Sequence, residues 1–311
     1  MRYLNIPEYE RLKRIEIPKK RKIKMILDTD TYNEIDDQFA IFYALFSPER
    51  LEIKGIHAAL FHNSRSDSAQ DGMEKSYNEI CKILKYANKD QGLAYRGCAK
   101  PLSNMEEWEE SEAVDHTIAC AMECTADDPL FVVGIGAATN IASAILKKPE
   151  IMERIVVVWI GGNTYDWPDQ KEFNLGQDIM AGKILFDCGV PLIQVPAFGV
   201  TGFLLSSIPE LEYCLEGVNE IGDYLVKNVK DYPHETFSWG KPIWDIGAIS
   251  LLINPDWSRR KIVHSPIITN NGRYSFSENR HLISCVSEIN RDETFSDMFL
   301  KIRAYGRSNE V

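Results

Sequence analysis

The feature that most constrains this chain is a dense group of carboxylates directly after a short apolar run. Residues 25–27 are Met-Ile-Leu, and the next ten residues contain five acidic side chains: Asp28, Asp30, Glu34, Asp36 and Asp37. An amphipathic segment over 39–45 comes next, so the pattern predicts a buried strand, an acidic loop and a helix. Helix caps and turns would account for one or two aspartates. Four crowded carboxylates repel one another when buried, which favours a bound hard cation with oxygen ligands.

The rest of the chain alternates apolar runs with amphipathic helical segments. Strands are predicted over residues 51–60, 129–135, 155–160 and 191–196, and helices over 73–89, 112–126, 178–188, 208–230 and 293–303. Runs that are apolar throughout are typical of parallel strands covered on both faces. The order predicts an α/β fold, with a single domain built on a mostly parallel sheet and helices on both faces. Residues 93–111 are expected to be a surface excursion.

The first 24 residues differ in composition from the rest of the chain, with nine Lys or Arg residues against three Glu. We expect residues 1–24 to form a basic N-terminal extension that is solvated and contains one short helix. The α/β domain is accordingly assigned to residues 25–311.

Polar side chains recur where the predicted strands end or the next helix begins. They are Asp28, Asp30, Asn63, Thr139, Asn163 and Asp245. Because ligands of such sheets bind beyond the carboxyl ends of the strands, we expect these residues to meet on one rim of the sheet.

Composition argues against several classes of function. A formal net charge of -11 argues against nucleic acid as a partner. No apolar run reaches the roughly 18 residues needed to cross a membrane, and the N-terminus lacks the apolar core of a secretory signal. The seven cysteines include no Cys-x-x-Cys pair, so we expect free thiols in a cytoplasmic protein.

The residue types on the predicted rim suggest a metal-assisted reaction on a sugar. Aspartates 30, 36, 37 and 245, with backbone carbonyls, offer the six to eight oxygens that Ca²⁺ takes, whereas Mg²⁺ keeps more water. A metal there would acidify a bound water, and one aspartate could take its proton. Amide and carboxyl groups suited to sugar hydroxyls surround the acids: Asn63, Asn163, Glu172 and Asn174.

Four segments resemble the inosine–uridine-preferring nucleoside hydrolase family. They are LDTDTYNEIDDQFAI, GIGAATNIASAI, WIGGN with KEFNLGQD, and IWDIGAIS. They occur in the family's order over roughly residues 24–255, each at a predicted strand-to-helix junction. The resemblance implies a Rossmann-like nucleoside hydrolase fold and a Ca²⁺-dependent enzyme that acts on a nucleoside or related glycoside. We also expect a homo-oligomer, either a dimer or a tetramer.

The resemblance implies hydrolysis of an N-glycosidic bond to a ribosyl group, in which a metal-bound water attacks C1′ through an oxocarbenium-like transition state. Asp30 would be both a metal ligand and the general base. The other metal ligands would be Asp37, Asp245 and the backbone carbonyl of Thr139. Asp28 would order the acidic loop from behind.

The substrate contacts are also implied by the resemblance. Asp36 and Asn63 would hold the 2′- and 3′-hydroxyls, and Glu172 and Asn174 would hold the rest of the sugar. Asn163 matches less closely, because the loop between Gly162 and Glu172 has its own length.

Two departures from the family pattern affect these expectations. Five residues, 31–35, separate Asp30 from Asp36, where the family usually has three that begin Pro-Gly. Many members also have His before the C-terminal Asp, placed to protonate the leaving base, and this chain has Trp244. Other side chains would then face the leaving group, and the candidates are His234, Tyr232, Trp239 and Trp167.

Two other classes of function fit parts of the pattern. The DTDT segment resembles haloacid-dehalogenase-type phosphatases, but Tyr32 stands where those enzymes have Thr or Val, and Asp36-Asp37 lies too close. Trp244 would also suit a nucleoside- or sugar-binding protein that has lost catalysis, although the full carboxylate set favours an enzyme. Hydrolysis of another glycoside is a further alternative.

Overall fold

The computed structural model describes residues 3–234, 236, 238–269 and 271–307. The helices are α1 (Glu8–Arg14), α2 (Asp37–Leu45), α3 (Ala69–Tyr86), α4 (Glu112–Met122), α5 (Thr139–Lys147), α6 (Phe173–Gln177), α7 (Ile179–Asp187), α8 (Ile208–Leu215), α9 (Glu220–Asp231), α10 (Ile246–Ile253) and α11 (Arg291–Arg307). The strands are β1 (Ile23–Thr29), β2 (Leu51–Ala58), β3 (Ala94–Arg96), β4 (Leu130–Gly134), β5 (Ile155–Ile160), β6 (Leu192–Val195), β7 (Leu205–Ser207), β8 (Gly240–Pro242), β9 (Ser258–His264), β10 (Ile267–Ile268), β11 (Tyr274–Ser275) and β12 (Leu282–Ile289).

Eight of these strands form a central sheet in the order β3-β2-β1-β4-β5-β6-β12-β9. Neighbours in this sheet are parallel except β9, which runs antiparallel to β12. Strands β4 and β5 are buried along their whole length, because their apolar side chains face helices on both sides. The predicted α/β fold with a mostly parallel sheet is confirmed.

The strand order reverses between β1 and β4, since the chain leaves β1 toward β2 and later returns to β4 on the opposite side. Asp28 of β1 lies opposite Gly134 of β4, and the Ile135 N–H donates to the Asp28 carbonyl at 2.8 Å. Such a reversal opens a crevice at the carboxyl ends of the strands. The acidic loop emerges at this crevice.

Two predicted segments differ from the observed elements. The helix predicted over 208–230 is two helices, α8 and α9, with Gly217 at a φ of 69° between them. Asn219 caps α9 by accepting from the Gly222 N–H at 2.9 Å. The surface excursion over 93–111 contributes the short outer strand β3, which pairs with β2.

The N-terminal segment packs into the body of the protein. Ile6, Ile15 and Ile17 are buried. The buried Arg11 guanidinium donates to the Gly189 and Ile6 carbonyls, both at 2.8 Å. The expected short helix is present as α1, but β1 begins at Ile23, inside the expected extension, and the solvated part is the basic run over 19–22. The isoleucines between the basic residues account for this difference, because their burial favours packing.

The helices and the cysteines can be compared with what composition predicts. Within the described part of the chain, no helix combines the length and apolar character needed to span a bilayer. All seven cysteines are free thiols, four of them buried, and the expectation of free thiols is confirmed.

Candidate active site

The acidic cluster lies where β1 ends and the helices α2 and α10 begin. Asp30 follows β1, Asp36 and Asp37 stand at the start of α2, and Asp245 precedes α10. Neither Asp36 nor Asp245 caps its helix with its side chain. Helix capping therefore does not explain why these two carboxylates are there.

Three of the four carboxylates converge closely enough to share one cation. Asp36, Asp37 and Asp245 are buried, and each places a carboxylate oxygen within 4.8 Å of the others. At this separation the negative charges repel one another, and a shared cation would offset the repulsion.

Asp30 adds a fourth buried carboxylate to the cluster. It is fully buried, and neither side-chain oxygen has a hydrogen-bond partner among the described residues. Burial raises its pKa well above 3.8, and repulsion from Asp37 and Asp36 raises it further. An unpartnered buried carboxylate is costly. The oxygen-only donor set and these orphaned oxygens fit a hard divalent cation.

The other acids titrate abnormally for the same reasons. Burial, with repulsion from Asp36, raises the pKa of Asp37 to about 8, although the Thr29 hydroxyl donates to it. Burial raises the pKa of Asp36 to about 6, while the Lys241 ammonium opposes the shift. Burial and the three neighbouring aspartates raise the pKa of Asp245 well above 3.8.

Lys241 is a site residue that the sequence analysis missed. It lies in β8, is 4% exposed, and forms an ion pair with Glu34 of the acidic loop. Burial opposes its charge, but Asp36 and Glu34 outweigh this effect and raise its pKa to about 12. The available signal was its place four residues before Asp245 in GKPIWD. Lys241 is thus a permanent positive charge beside the acids.

The turn between β4 and α5 supports the acidic loop from the other side of the crevice. A side chain at Gly136 would place its Cβ 3.0 Å from the Asp30 nitrogen and 3.1 Å from Asp30 Cγ. Thr139, the first residue of α5, is buried, and its hydroxyl donates to Asp178 at 2.7 Å. Asn140 donates to the Asp28 carboxylate at 2.8 Å, which ties the end of β1 to α5, and the role of Asp28 in ordering the acidic loop stays a prediction.

A cavity of about 570 Å³ opens beside the cluster, a size that suits a small-molecule ligand. The cavity wall includes five of the predicted site residues: Asp36, Glu172, Asn174, Trp244 and Asp245. The other predicted site residues are not among the described residues that line it: Asp30, Asp37, Asn63, Thr139, Asn163 and His234.

Glu172 and Asn174 lie together on the cavity wall, each engaged by the protein. Glu172 caps α6 by accepting from the Asn174 and Leu175 N–H groups, and it also accepts from the Gly162 N–H. Asn174 donates to the Ile135 and Ile160 carbonyls at 3.2 and 3.0 Å. Its amide therefore joins the ends of β4 and β5, and no described residue bonds its side-chain oxygen.

Asn163 is used within its own loop. It is buried, its N–H donates to Gln170, its side chain donates to the Asp169 carbonyl at 3.0 Å, and its oxygen accepts from the Phe198 N–H at 3.2 Å. The structure does not bring this side chain to the cavity, because these bonds satisfy its polar atoms.

An aromatic wall stands on one side of the cavity, formed by Trp244, Phe198 and Trp167. Phe198 meets the Trp244 ring edge-on at 5.1 Å and stacks on Trp167 at 5.3 Å. Trp244 and Phe198 line the cavity. Phe198 was missed in the sequence because it follows β6 without a neighbouring polar motif.

His234 lies away from this wall. It is exposed, stacks on Trp239 at 4.6 Å, and pairs with the Tyr232 carbonyl at 3.0 Å. Tyr232, another aromatic candidate in this segment, contacts the acidic loop, because its hydroxyl donates to Glu34 at 3.2 Å.

Known proteins are similar to this chain in fold and, at low identity, in sequence. The pyrimidine-specific ribonucleoside hydrolase RihA of Escherichia coli O1:K1 / APEC is 24% identical over 263 residues, covering 75% of this chain and 80% of that protein. The purine-preferring ribonucleoside hydrolase from Gardnerella vaginalis superposes with a TM-score of 0.74 at 22% identity, over 92% of this chain and 99% of that one.

A second solved structure gives the same result for the fold. The inosine-uridine preferring nucleoside hydrolase from Bacillus anthracis superposes with a TM-score of 0.69 at 15% identity, covering 91% of this chain and all of that one, 100%. The sequence model described as inosine-uridine preferring nucleoside hydrolase matches residues 25–297. Members hydrolyse the N-glycosidic bond of nucleosides, and this chain belongs to the inosine-uridine preferring nucleoside hydrolase family.

Proposed function

We propose that this enzyme hydrolyses the N-glycosidic bond of a nucleoside in a Ca²⁺-dependent reaction with Asp30 as the general base. The observation that carries the proposal is the Asp30 carboxylate, which is buried without a partner among the described residues, beside three further acids. Such a group is kept where a cation or a reacting proton compensates it.

The donor set favours calcium among the common divalent cations. Asp30, Asp37, Asp245 and the Thr139 carbonyl would hold the ion, and all are oxygen donors, as Ca²⁺ prefers. When bound, the ion would supply Lewis-acid activation of the attacking water. The proximity of Asp36 to Asp37 and Asp245 makes Asp36 a further candidate ligand.

The protein's own groups would carry the proton and the charge. Asp30 would take the proton of the water as it attacks C1′. The positive charge that develops on the sugar would be stabilised by the surrounding carboxylates, of which Asp36 and Asp245 reach the cavity wall. Glu172 and Asn174 would hold sugar hydroxyls, with the Asn174 oxygen as an acceptor.

Binding of the leaving base is assigned to the aromatic wall. No histidine lines the cavity in the described part of the chain, so Trp244 and Phe198 are the groups placed to stack on a base. The wall supports the binding of a base but does not select one. The relatives do not select one either, because proteins named for purine and for pyrimidine substrates both match this chain.

The test is to incubate the calcium-loaded protein with a panel of purine and pyrimidine ribonucleosides and to measure the reducing sugar released. Sugar release that a chelator abolishes and calcium restores is expected. Binding without release would favour a nucleoside-binding protein, and phosphate release from a phosphate ester without sugar release would favour a phosphatase.

The metal assignment has its own test. Asp245→Ala removes one converging carboxylate, so we expect calcium affinity measured by titration calorimetry to fall at least tenfold. Unchanged affinity would remove Asp245 from the ligand set. Exchange of the exposed Asp67 for Ala serves as the matched control.

A further inference from the structure

The loop between Asp30 and Asp36 is part of the cavity wall. Asn33 and Glu34, both in this loop, line the cavity beside Asp36. The loop is held at its base, because the Asn33 N–H donates to the Asp30 carbonyl at 2.7 Å and Gln38 donates to the Thr31 carbonyl at 3.0 Å. The loop is therefore tied to the protein on both sides of the residues that line the cavity.

Asn63 contacts this loop instead of the cavity. Its side-chain nitrogen donates to the Asn33 side-chain oxygen at 3.0 Å and to the Asn33 carbonyl at 3.3 Å. Its side-chain oxygen accepts from the Arg65 N–H at 2.8 Å. Both ends of the Asn63 amide are thus engaged by the protein.

The bond from Asn63 also fixes which end of the Asn33 amide is available. The Asn33 oxygen accepts from Asn63, and no described residue accepts from the Asn33 side-chain nitrogen. An amide nitrogen has two donor hydrogens. Asn33 therefore has unused N–H donors, and it lines the same cavity as Asp36, whose carboxylate is an acceptor.

Glu34 is held through both its side chain and its backbone. Its carboxylate pairs with the buried Lys241 ammonium and accepts from the Tyr232 hydroxyl at 3.2 Å. Its carbonyl accepts from the Arg65 guanidinium at 2.8 Å. These contacts restrain the residue next to Asn33 and so limit the movement of Asn33 itself.

We propose that Asn33 contacts the sugar of the substrate by donating to a hydroxyl, and that Asn63 and Lys241 are positioning residues that hold the loop for this contact. The inference rests on the proposed function and adds a sugar-contacting residue to it. The contact suits two neighbouring hydroxyls, because Asp36 would accept from one while Asn33 donates to the other.

The test compares Asn33→Ala, Asn63→Ala and the double variant in kcat and KM for a ribonucleoside and its 2′- and 3′-deoxy analogues. Loss of Asn33 is expected to lower kcat/KM for the ribonucleoside about tenfold or more. The Asn33→Ala substitution should also reduce the preference for the ribonucleoside over one of its two deoxy analogues, while calcium affinity stays unchanged. The exposed Asn279→Ala serves as the matched control.

The double variant tests whether Asn63 is a positioning residue for Asn33. If Asn63 acts through Asn33, the double variant has the kcat/KM of Asn33→Ala alone, whereas independent roles give additive losses. Thermal melting of each variant checks folding, and Asn33→Ala alone decides the contact if Asn63→Ala fails to fold.

Failure of the inference and failure of the proposed function give different results. Normal kcat/KM and normal discrimination in Asn33→Ala overturn the inference while the parent still releases sugar. A parent that releases no sugar contradicts the proposed function instead. In that case, calorimetry measures the affinity for D-ribose of the calcium-loaded parent and of Asn33→Ala. Lower affinity in Asn33→Ala supports the contact, and equal affinities overturn the inference.

Discussion

The Asp30 carboxylate lies in an environment very different from water. Its two oxygens are buried without hydrogen-bond partners in the described part of the chain. Burial and the neighbouring acids raise its pKa well above 3.8. A bound cation would relieve both penalties, so we expect metal binding to reduce the repulsion among these acids.

Replacing this residue separates catalysis from folding. Asp30→Asn keeps the side-chain shape but removes the base, so kcat for sugar release is expected to fall by about 10²-fold or more. In a chelator, the melting temperature of Asp30→Asn should exceed that of the parent, because one repelling carboxylate is gone. Asp67→Asn, on the surface, serves as the control. A near-normal rate would remove Asp30 as the base.

The raised pKa values also predict how stability depends on pH. Asp36 and Asp37 titrate at about 6 and about 8, above their usual 3.8. The folded protein therefore holds protons that the unfolded chain has already released, and stability is lost as pH rises. We expect the melting temperature of metal-free protein to fall between about pH 5 and pH 8, because the same carboxyls titrate near 4 in the unfolded chain. Saturating calcium should remove this fall, and a flat metal-free profile would contradict it.

Single residues differ in how well the sequence predicts them. Asp30, Asp36 and Asp37 were identifiable because they crowd, with Asp28, into ten residues, and Asp245 was identifiable from its place before a predicted helix. Lys241 and Phe198 were missed, because the signal for Lys241 was only its nearness to Asp245 in sequence and Phe198 has no polar motif beside it. Asn63 had the right residue type for a sugar contact, but its actual partner, Asn33, depends on how an unusually long loop folds.

At the scale of elements, the β4–α5 turn determines how closely the acidic loop can approach the sheet. A Cβ at Gly136 would lie 3.0 Å from the Asp30 nitrogen, closer than most such contacts, so the loop would have to shift to admit it. The turn and the loop therefore fit together as one unit, although more than one hundred residues separate them.

A methyl group added at Gly136 tests whether the close fit of the turn against the loop positions the calcium ligands. Gly136→Ala is expected to displace the acidic loop and to weaken calcium binding by about tenfold, through a few tenths of an ångström of misplacement. Gly176→Ala is the matched control, because its Cβ would meet no atom within 4 Å. Equal calcium affinity in the two variants would show that the loop adapts.

Prediction of elements succeeded where burial fixes the pattern. Strands β4 and β5 are apolar throughout, as buried parallel strands must be. The break between α8 and α9 was missed because apolar periodicity continues across it, and its cause is local: Gly217 turns the chain and Asn219 starts a new helix. Strand β3 has only three residues, too few for a periodic signal.

At the scale of the whole molecule, the N-terminal segment belongs to the core. Ile15 is 0% exposed, although basic residues surround it in sequence. Composition suggested a solvated arm because it averages over residues, whereas packing depends on where each isoleucine lies. The family match begins at residue 25 and therefore leaves this segment to be judged by structure.

Truncation of Ile15 measures that packing. Ile15→Ala should lower the free energy of unfolding by about 2–5 kcal/mol, as determined by denaturant titration. Lys20→Ala, on the exposed basic run, should change it by less than about 0.5 kcal/mol. Equal changes in the free energy of unfolding would show that the segment is a solvated arm.

The antiparallel strand β9 ends the central sheet on one side, and in the described structure its only partner in that sheet is β12. Arg259, Arg260 and Lys261 follow one another along it, and Arg259 is largely exposed. Basic side chains on an edge strand disfavour its pairing with a strand of another molecule. Arg259 pairs with Glu288 at 3.3 Å and the mostly buried Arg260 donates to the Ile15 carbonyl at 2.8 Å, so the charged residues of β9 are held in place along an edge that works against edge-to-edge strand pairing.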